Sequence, residues 1–108
     1  DRAQIEQVLI NLIKNAKESC GQNTAPQIEV ELEQVPGKVC SLTVRDNGEG
    51  ILPEVIDKVF VPFFTTKPSG SGIGLSLCKQ IMNLHGGTIT VSSEIGKGSC
   101  FTLMFPGR

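Results

Sequence analysis

The sequence predicts an α+β fold, a two-layer sandwich with helices on one face of a mixed, mostly antiparallel sheet. Apolar residues recur at i, i+3, i+4 and i+7 along residues 2–20, which is the spacing of an amphipathic helix. Apolar and polar residues then alternate along 27–35 and 39–46, which is the spacing of half-buried strands. Because helices and strand pairs follow each other in the same order twice, we expect one helix layer on one sheet.

The first helix and the first strand pair have clear ends in the sequence. Gly21 ends the helix that begins near the start of the chain. In the next segment Ile28, Val30 and Leu32 alternate with glutamates, so one face of this strand is apolar and the other is charged. A Pro-Gly-Lys turn at 36–38 connects it to the second strand, which predicts a hairpin.

The second half of the chain begins with a short helix predicted over 53–60, with Pro53 in its first turn. A segment without periodicity, 62–72, separates it from a helix predicted over 73–87, which the Gly-Gly pair at 86–87 ends. Two strands, TITVSSEIG and SCFTLMFP, follow around a Gly-Lys-Gly turn. A loop as long as 62–72 in so small a domain is usually functional or mobile.

The composition is that of a globular domain and excludes some classes of partner. The chain has 108 residues, 39% of them hydrophobic, which is enough for one domain with a buried core. Its formal net charge of −1 gives no electrostatic reason to expect a nucleic acid or an anionic membrane as partner. No apolar run reaches membrane-spanning length, and the chain starts inside a helical pattern without Met. We expect residues 1–108 to be one domain of a longer protein.

The four cysteines, Cys20, Cys40, Cys78 and Cys100, form no CxxC pair. With a single histidine, His85, the chain lacks the ligand spacing of a zinc site. Each cysteine lies in or beside an apolar run, as small buried thiols do, although four cysteines could also form two disulfides in a secreted protein. We favour reduced thiols and a cytosolic setting.

Two asparagines, Asn11 and Asn15, stand one turn apart in the first helix, and Glu18 continues the same stripe. Asparagine is a poor helix former, because its side chain competes with the backbone for hydrogen bonds. An amide oxygen is a suitable ligand for Mg²⁺, which takes few protein ligands and completes its shell with water and phosphate oxygens. The alternative is that both asparagines are solvated or cap neighbouring backbone.

The stretch DNGEGI at 46–51 ends a predicted strand with a carboxylate, Asp46, and continues with Gly48 and Gly50. A carboxylate held at a strand end can accept a hydrogen bond from an exocyclic amine such as that of adenine, and glycines let a flat ligand approach the backbone. The alternative is an ordinary turn, since Asp-Asn-Gly is common turn chemistry. The acidic spacing and the closing Glu do not fit a calcium loop.

The glycine-rich stretch GSGIGL at 70–75 leads directly into a helix. It is not the dinucleotide fingerprint, since Leu75 stands where a third glycine is required and no strand precedes it, and it is not a P-loop. A helix N-terminus offers free N–H groups and the positive end of the helix dipole, which can hold a phosphate. The alternative is a flexible linker.

Together these segments resemble the catalytic, ATP-binding domain of bacterial sensor histidine kinases, within the GHKL (HATPase_c) superfamily. NLIKNA is similar to the N box of that family, DNGEGI to its first glycine box, VFVPFFTTK to its phenylalanine box and GSGIGL to its second glycine box. HGGTITVSSEIGKGSCFTL resembles the closing strands, so the resemblance covers essentially the whole chain. It implies the Bergerat fold of this superfamily, which also includes gyrase, heat-shock chaperone and mismatch-repair enzymes.

The resemblance also implies which residues contact Mg-ATP. Asn15 would coordinate Mg²⁺ with Asn11 in support, and Asp46 would accept a hydrogen bond from the adenine amine. Lys14 would reach a phosphate, unless it is a solvated helix lysine, and Ser99 would reach the water network between adenine and aspartate. The complete implied set is Asn11, Lys14, Asn15, Asp46, Gly48, Gly50, Ile51, Thr66, Lys67, Gly70, Ser71, Gly72, Ile73, Gly74, Leu75 and Ser99.

One position separates two chemistries within the superfamily. The ATP-hydrolysing members carry a glutamate as general base one turn before the metal-binding asparagine, and here that position is Asn11, whose amide cannot take a proton. The resemblance therefore implies transfer of the γ-phosphate to a histidine rather than to water. His85 lies at a predicted helix end, a structural place, so the acceptor is expected on an upstream helical domain. The isolated chain is expected to bind ATP without autophosphorylating.

The implied partners are ATP, the upstream phosphoacceptor domain and the receiver domain of a response regulator, with no nucleic acid. The parent protein is expected to be a homodimer attached to the inner membrane, with this domain on the cytoplasmic side. Two alternatives remain open. One is an ATP-dependent protein serine or α-keto-acid-dehydrogenase kinase of the same fold, and the other is a degenerate module that binds partners without nucleotide.

Overall fold

The computed structural model describes residues 2–21, 25–34, 40–62 and 74–106 of the chain. These residues form elements in the order that the sequence predicts: α1 (Arg2–Ser19), β1 (Ile28–Gln34), β2 (Cys40–Asp46), α2 (Pro53–Ile56), α3 (Gly74–Leu84), β3 (Thr88–Glu94) and β4 (Gly98–Phe105). None of the helices in these ranges is long and apolar enough to cross a membrane.

The four strands form one sheet in the order β1-β2-β4-β3, and every neighbouring pair is antiparallel. Helix α1 packs against α3, β1, β2 and β4, and α3 packs against β3. The molecule is therefore the predicted two-layer α+β sandwich. The prediction allowed for a mixed sheet, whereas all pairings between the described strands are antiparallel.

The core lies between the sheet and the two long helices. On the sheet, Val44, Phe101 and Val91 form one row across three strands, since Phe101 is paired with both of the others. Helix α1 contributes Val8, Leu12 and Ala16 to this core, and α3 contributes Cys78, Ile81 and Met82. The side chain of Phe60, which follows α2, meets the ring of Phe101 edge-on with 6.3 Å between ring centroids. The amphipathic period read from the sequence of α1 thus faces the core as predicted.

Strand β1 is an edge of the described sheet that the helices cover poorly. Leu32 belongs to the same row as Leu42 and Leu103, yet its side chain is 62% exposed whereas Leu103 is fully buried. Val30, in the neighbouring row, is also exposed. The strand was correctly predicted, but the prediction that it is half-buried was wrong, because its apolar side chains are mostly exposed and contribute little to the core.

Two helix bounds differ from the prediction. Helix α2 ends at Ile56 instead of residue 60, and its backbone continues in turns with i to i−3 hydrogen bonds such as Lys58 N–H to Val55 O, 2.8 Å. The segment is short and rich in β-branched residues, which do not sustain an isolated helix. Helix α3 ends at Leu84, and Gly86 adopts a φ of +73° just beyond it, as the predicted glycine stop requires. The turn predicted at 36–38 lies outside the described residues.

The four cysteines are free thiols, as the sequence analysis favoured. Cys20 and Cys78 are buried, and Cys40 and Cys100 are half-buried. Burial raises the pKa of the Cys78 thiol to about 11, against a smaller opposing effect of a hydrogen bond with the Asn11 side chain. Its sulfur donates to the Val8 carbonyl at 3.8 Å, so this thiol belongs to the helix–helix packing.

Candidate functional site

A row of polar side chains stands at one end of the inner face of the sheet. Asp46 at the end of β2 is paired with Ser99 near the start of β4, and Ser99 is paired with Ser93 of β3. Residues paired in this way point their side chains to the same face of the sheet, here the face that carries the helices. Asp46 is 6% exposed, Ser99 is 5% exposed and Ser93 is half-buried, so the row is largely buried although it is polar. We call Asp46, Ser99 and Ser93 the polar row.

Asp46 is held by the loop that follows it. The Gly48 N–H donates to Asp46 Oδ1 at 2.9 Å, which fixes the carboxylate in a turn typical of aspartate. Within the part of the chain that the structure describes, this is the one hydrogen bond made to the carboxylate. A buried carboxylate is stabilised by further hydrogen-bond donors, which replace the lost water. Its second oxygen is therefore available to accept a hydrogen bond from a ligand.

Ser93 fastens the loop after Asp46 to the sheet. Its Oγ accepts from the Ile51 N–H at 2.7 Å and donates to the Gly98 carbonyl at 2.9 Å, and it lies 3.2 Å from Ser99 Oγ. A second link, from Gly96 N–H to the Glu49 carbonyl at 3.0 Å, joins the same loop to the turn between β3 and β4. The loop 47–51 is thus bonded to β3 at Ile51 and to the turn between β3 and β4 at Glu49.

Gly50 is a residue of this loop that no other amino acid could replace without a change of backbone. Its φ is +82°, and a Cβ there would lie 2.4 Å from the Glu94 carbonyl oxygen. Both conditions exclude an L side chain. The glycine predicted from DNGEGI therefore allows the loop to approach β3 closely.

The C-terminal end of α1 reaches the same loop. The Glu49 N–H donates to the Ser19 carbonyl at 3.2 Å, and Gly48 packs so closely that a Cβ on it would lie 2.3 Å from Ser19 Oγ. Asn15 lies one turn before Ser19 on the same stripe of α1, a rise of about 6 Å along the axis. Asn15 is consequently the α1 residue nearest to the loop among the two asparagines that the sequence singles out.

Asn11, one turn earlier, links α1 to the start of α3. Its Nδ2 donates to the Gly74 carbonyl at 3.5 Å, and its Oδ1 accepts from Gln7 Nε2 at 3.0 Å. The stripe of α1 therefore runs from the beginning of α3 at Asn11 to the loop after Asp46 at Ser19. Asn15 stands between these two contacts.

The structure brings together most of the implied site residues that it describes. The loop and sheet end unite Asp46, Gly48, Gly50, Ile51 and Ser99. Helix α1 contacts this loop at Ser19, and the same helix carries Asn15 and Asn11, of which Asn11 contacts Gly74. Lys14 is exposed on α1, and Leu75 is half-buried against the apolar core rather than in the polar row. The remaining implied residues lie outside the described part of the chain: Thr66, Lys67, Gly70, Ser71, Gly72 and Ile73.

Two residues of the site were not identified from the sequence. Ser93 could have been found by extending the alternation of Ile89 and Val91 by one step, which places it on the inner face. Asn47 gave no such signal. Its Oδ1 accepts from the Gln27 N–H at 2.8 Å and its Nδ2 donates to the Ala25 carbonyl at 3.0 Å, so it holds the segment before β1 beside the loop.

Two other features lie away from the polar row. His85 Nδ1 donates to the Ile81 carbonyl at 2.8 Å at the end of α3, which agrees with a structural place for this histidine. A surface pocket of about 400 Å³ lies between the outer face of α3, with Lys79 and Leu84, and the segment containing Phe60 and Pro62. No residue of the polar row lines this pocket.

A family model described as Histidine kinase-, DNA gyrase B-, and HSP90-like ATPase matches residues 1–108, the full length of the chain. The chain belongs to this ATPase family. The resemblance stated from the four sequence motifs is thereby confirmed. In histidine kinases this ATPase domain is the catalytic part.

Sensor histidine kinases are among the relatives of this ATPase domain. It is 41% identical over 106 residues to sensor histidine kinase ZraS of Escherichia coli (strain K12), and the aligned region covers 98% of the chain and 22% of ZraS. It is 45% identical over 93 residues to the C4-dicarboxylate transport sensor protein DctB of Rhizobium meliloti (strain 1021), and the aligned region covers 86% of the chain and 15% of DctB. The chain thus spans about a fifth, or less, of the length of these relatives.

Solved histidine kinase structures share the fold of this ATPase domain. The nucleotide-free catalytic domain of histidine kinase ThkA superposes with a TM-score of 0.85 at 39% identity, over 99% of this chain and 68% of that one. Full-length ShkA in complex with AMPPNP superposes with a TM-score of 0.86 at 26% identity, over 99% of this chain and 22% of that one. These likenesses confirm the predicted fold class.

Proposed function

We propose that this chain binds Mg-ATP and supplies the γ-phosphate for phosphorylation of a histidine on a separate helical domain of the same protein, in two-component signalling. The observation that carries the proposal is the buried Asp46 carboxylate, which has an oxygen available beside a glycine loop and the asparagine stripe of α1. Relatives support it, since they are sensor histidine kinases and full-length ShkA was solved with AMPPNP. They do not favour a serine kinase or a module without nucleotide.

The base-binding end of the proposed site is the polar row. Asp46 would accept a hydrogen bond from the exocyclic amine of adenine, and Ser99, buried beside it, would contribute a hydroxyl oxygen. Gly48, Gly50 and Ile51 would line the edge of the base pocket, since the two glycines hold their loop close to the sheet end and the Ile51 N–H is bonded to Ser93. A flat base suits such a pocket, because backbone forms much of its wall.

The phosphate-binding end is proposed to lie along α1 towards the start of α3. The amide oxygen of Asn15 is a hard donor of the kind that Mg²⁺ accepts, with Asn11 in support, so the residues present fit that ion, which would neutralise phosphate charge. Gly74 begins α3, whose N-terminus favours anions. Lys14 and Leu75 complete the described members of the proposed set. The members outside the described residues are Thr66, Lys67, Gly70, Ser71, Gly72 and Ile73.

Water is not expected to be the phosphoryl acceptor. The amide of Asn11 cannot act as a general base, and it is already engaged with Gln7 and Gly74. His85 is bonded to the end of α3, away from the polar row. We therefore propose that the acceptor histidine, the receiver domain of a response regulator and the dimer contacts belong to parts of a longer, membrane-attached protein beyond residues 1–108.

The replacement Asp46→Asn tests the proposed site with little change in shape. An Asn side chain keeps an oxygen for the Gly48 N–H, but it presents an NH₂ group where the adenine amine needs an acceptor. We expect ATP affinity to fall about 10- to 100-fold, because a hydrogen bond to a charged group is replaced by two opposed donors. Isothermal titration calorimetry measures the affinity.

The matched control is Asp57→Asn, an exposed aspartate just after α2. This variant is expected to bind ATP with wild-type affinity. Unchanged ATP affinity in Asp46→Asn, with both variants folded by circular dichroism, would remove Asp46 from the nucleotide site and with it the main support for the proposal.

A further inference from the structure

The Ser93 hydroxyl has its full complement of hydrogen bonds in the structure. A serine hydroxyl has one proton to donate and two lone pairs to accept with. Ser93 gives its proton to the Gly98 carbonyl at 2.9 Å, because a carbonyl oxygen can only accept. One lone pair accepts from the Ile51 N–H at 2.7 Å. The contact with Ser99 Oγ at 3.2 Å must therefore use the remaining lone pair of Ser93.

This arrangement fixes the direction of the Ser99 hydroxyl. Since Ser93 has no second proton, Ser99 is the donor in the hydrogen bond between the two serines. The protons thus run in one direction, from Ser99 to Ser93 and from Ser93 to the Gly98 carbonyl. Ser99 is left with lone pairs alone for any other neighbour.

The polar row consequently offers acceptors and no donors to a ligand. Asp46 is a carboxylate, which only accepts while it is ionised, and Ser99 is paired with it across β2 and β4 on the same face. A purine with an amino group at C6 can donate to such a row. A purine with a carbonyl group at C6 places an acceptor against the acceptors of the polar row, so buried polar atoms are left without hydrogen bonds. Unpaired buried polar atoms cause strong discrimination between two ligands.

We propose that Ser93 is a positioning residue that sets base specificity, by holding the Ser99 proton away from the base so that the site selects 6-amino over 6-oxo purine nucleotides. This inference rests on the proposed function, since it takes the polar row as the place where the base binds. Ser93 does not touch the base itself. It acts through Ser99.

The test compares ATP with ITP, which differ at C6 in amino against carbonyl, in calorimetric binding to the full protein. Wild type is expected to prefer ATP. In Ser93→Ala the Ser99 hydroxyl is free to turn and donate to a C6 carbonyl, so the ratio of ITP to ATP dissociation constants should fall about three- to tenfold, the effect of one neutral hydrogen bond. Ser93→Thr keeps a hydroxyl and should retain the wild-type ratio.

A second comparison separates this role from support of the loop. Ser93→Ala also removes the acceptor of the Ile51 N–H, which should lower affinity for both nucleotides. The ratio of dissociation constants is therefore compared in a double-mutant cycle with Ser99→Ala. If Ser93 acts through the Ser99 proton, adding Ser93→Ala to Ser99→Ala leaves the ratio unchanged, whereas a loop effect alone would act equally in both backgrounds.

The neighbouring serine provides the control. Ser92 is exposed on the opposite face of β3, so Ser92→Ala should change neither affinity nor ratio. An unchanged ratio in Ser93→Ala, or an equal change in the presence and absence of Ser99, would overturn the inference while leaving ATP binding intact. Failure of wild type to bind ATP at all would instead overturn the proposed function.

Discussion

Asp46 is a carboxylate that the fold buries at the point where the apolar rows of the sheet end. Burying such a group is unfavourable unless hydrogen bonds replace the lost water. The chain supplies one of them through the Gly48 N–H, whose position depends on the close approach of that glycine to Ser19. A ligand amine that donates to the second oxygen would offset part of the remaining desolvation cost of the carboxylate. This is a physical reason for a nucleotide to bind at Asp46.

Asn15 is predicted to act on the metal rather than on the base. In Asn15→Ala, we expect the affinity for Mg-ATP to fall about tenfold or more, because an oxygen ligand of the ion is lost, while metal-free ADP binds about as before. Calorimetry with magnesium and with a chelator measures both affinities. Asn83→Ala, an exposed asparagine of α3, is the control. Equal losses with and without magnesium would contradict a role in metal binding.

The sequence predicted these two residues for different reasons. Asp46 could be found because a strand pattern ended in an acidic residue followed by glycines, and Asn15 because amides are unusual in an amphipathic helix. Ser93 was missed, because a serine near a strand end is unremarkable until strand pairing shows which side chains face it. The hydrogen bonds of a hydroxyl depend on neighbours distant in sequence, and periodicity carries no information about them.

At the scale of elements, the helix layer covers the sheet unequally. Helices α1 and α3 bury the inner faces of β2, β4 and β3, whereas β1 extends beyond them. The outer face of β1 carries Glu29, Glu31 and Glu33. Like charges on an edge strand oppose pairing of two such edges with each other. The apolar residues of β1 therefore lie at a poorly covered edge of the sheet and contribute little to the core.

Two leucines in one row of the sheet should respond very differently to truncation. Leu103→Ala is expected to lower the free energy of unfolding by about 2–5 kcal/mol, because the side chain is fully buried between sheet and helices. Leu32→Ala, in the same row but 62% exposed, should cost less than about 1 kcal/mol. Urea denaturation of both variants provides the comparison. Similar losses in the two would show that β1 is covered in solution.

Element types followed from periodicity, but their arrangement did not. The first helix and all four strands were predicted within one or two residues of their observed ends, and α3 ends three residues before its predicted end, since apolar periods and glycine stops mark these elements. Helix α2 is shorter than predicted, because its segment is short and rich in β-branched residues. The order β1-β2-β4-β3 could not be derived from periodicity, which does not say which strands become neighbours.

At the scale of the whole molecule, the proposed site joins parts that are far apart in sequence. The contacts at Asn11, Gly48 and Ser93 connect α1, the loop after β2, the start of α3 and the last two strands. A nucleotide bound there would contact all of them at once. Ligand binding should therefore stabilise the fold as a unit rather than one element of it.

We expect Mg-ATP at about 100 times its dissociation constant to raise the free energy of unfolding by about 2.7 kcal/mol in wild type, as mass action requires of a ligand that binds only the folded state. Asp46→Asn, with its 10- to 100-fold weaker binding, should gain only about 0.4–1.4 kcal/mol at the same concentration. Thermal denaturation measures the gain, and hydrogen exchange locates it. Amides of 47–51 and of the start of α3 should gain more protection than those of β1. Protection confined to β1 would place the ligand elsewhere.

The register of β2 against β4 also makes nucleotide binding a test of correct folding. Sliding β2 by two residues would still turn Leu42 and Val44 inward, so the apolar pattern alone would tolerate the error. It would, however, separate Asp46 from Ser99. A molecule with this wrong register would have normal helix and strand content, but it would not bind to an immobilised-nucleotide column. Retention on such a column therefore reports the fraction of a refolded preparation whose strands are correctly matched.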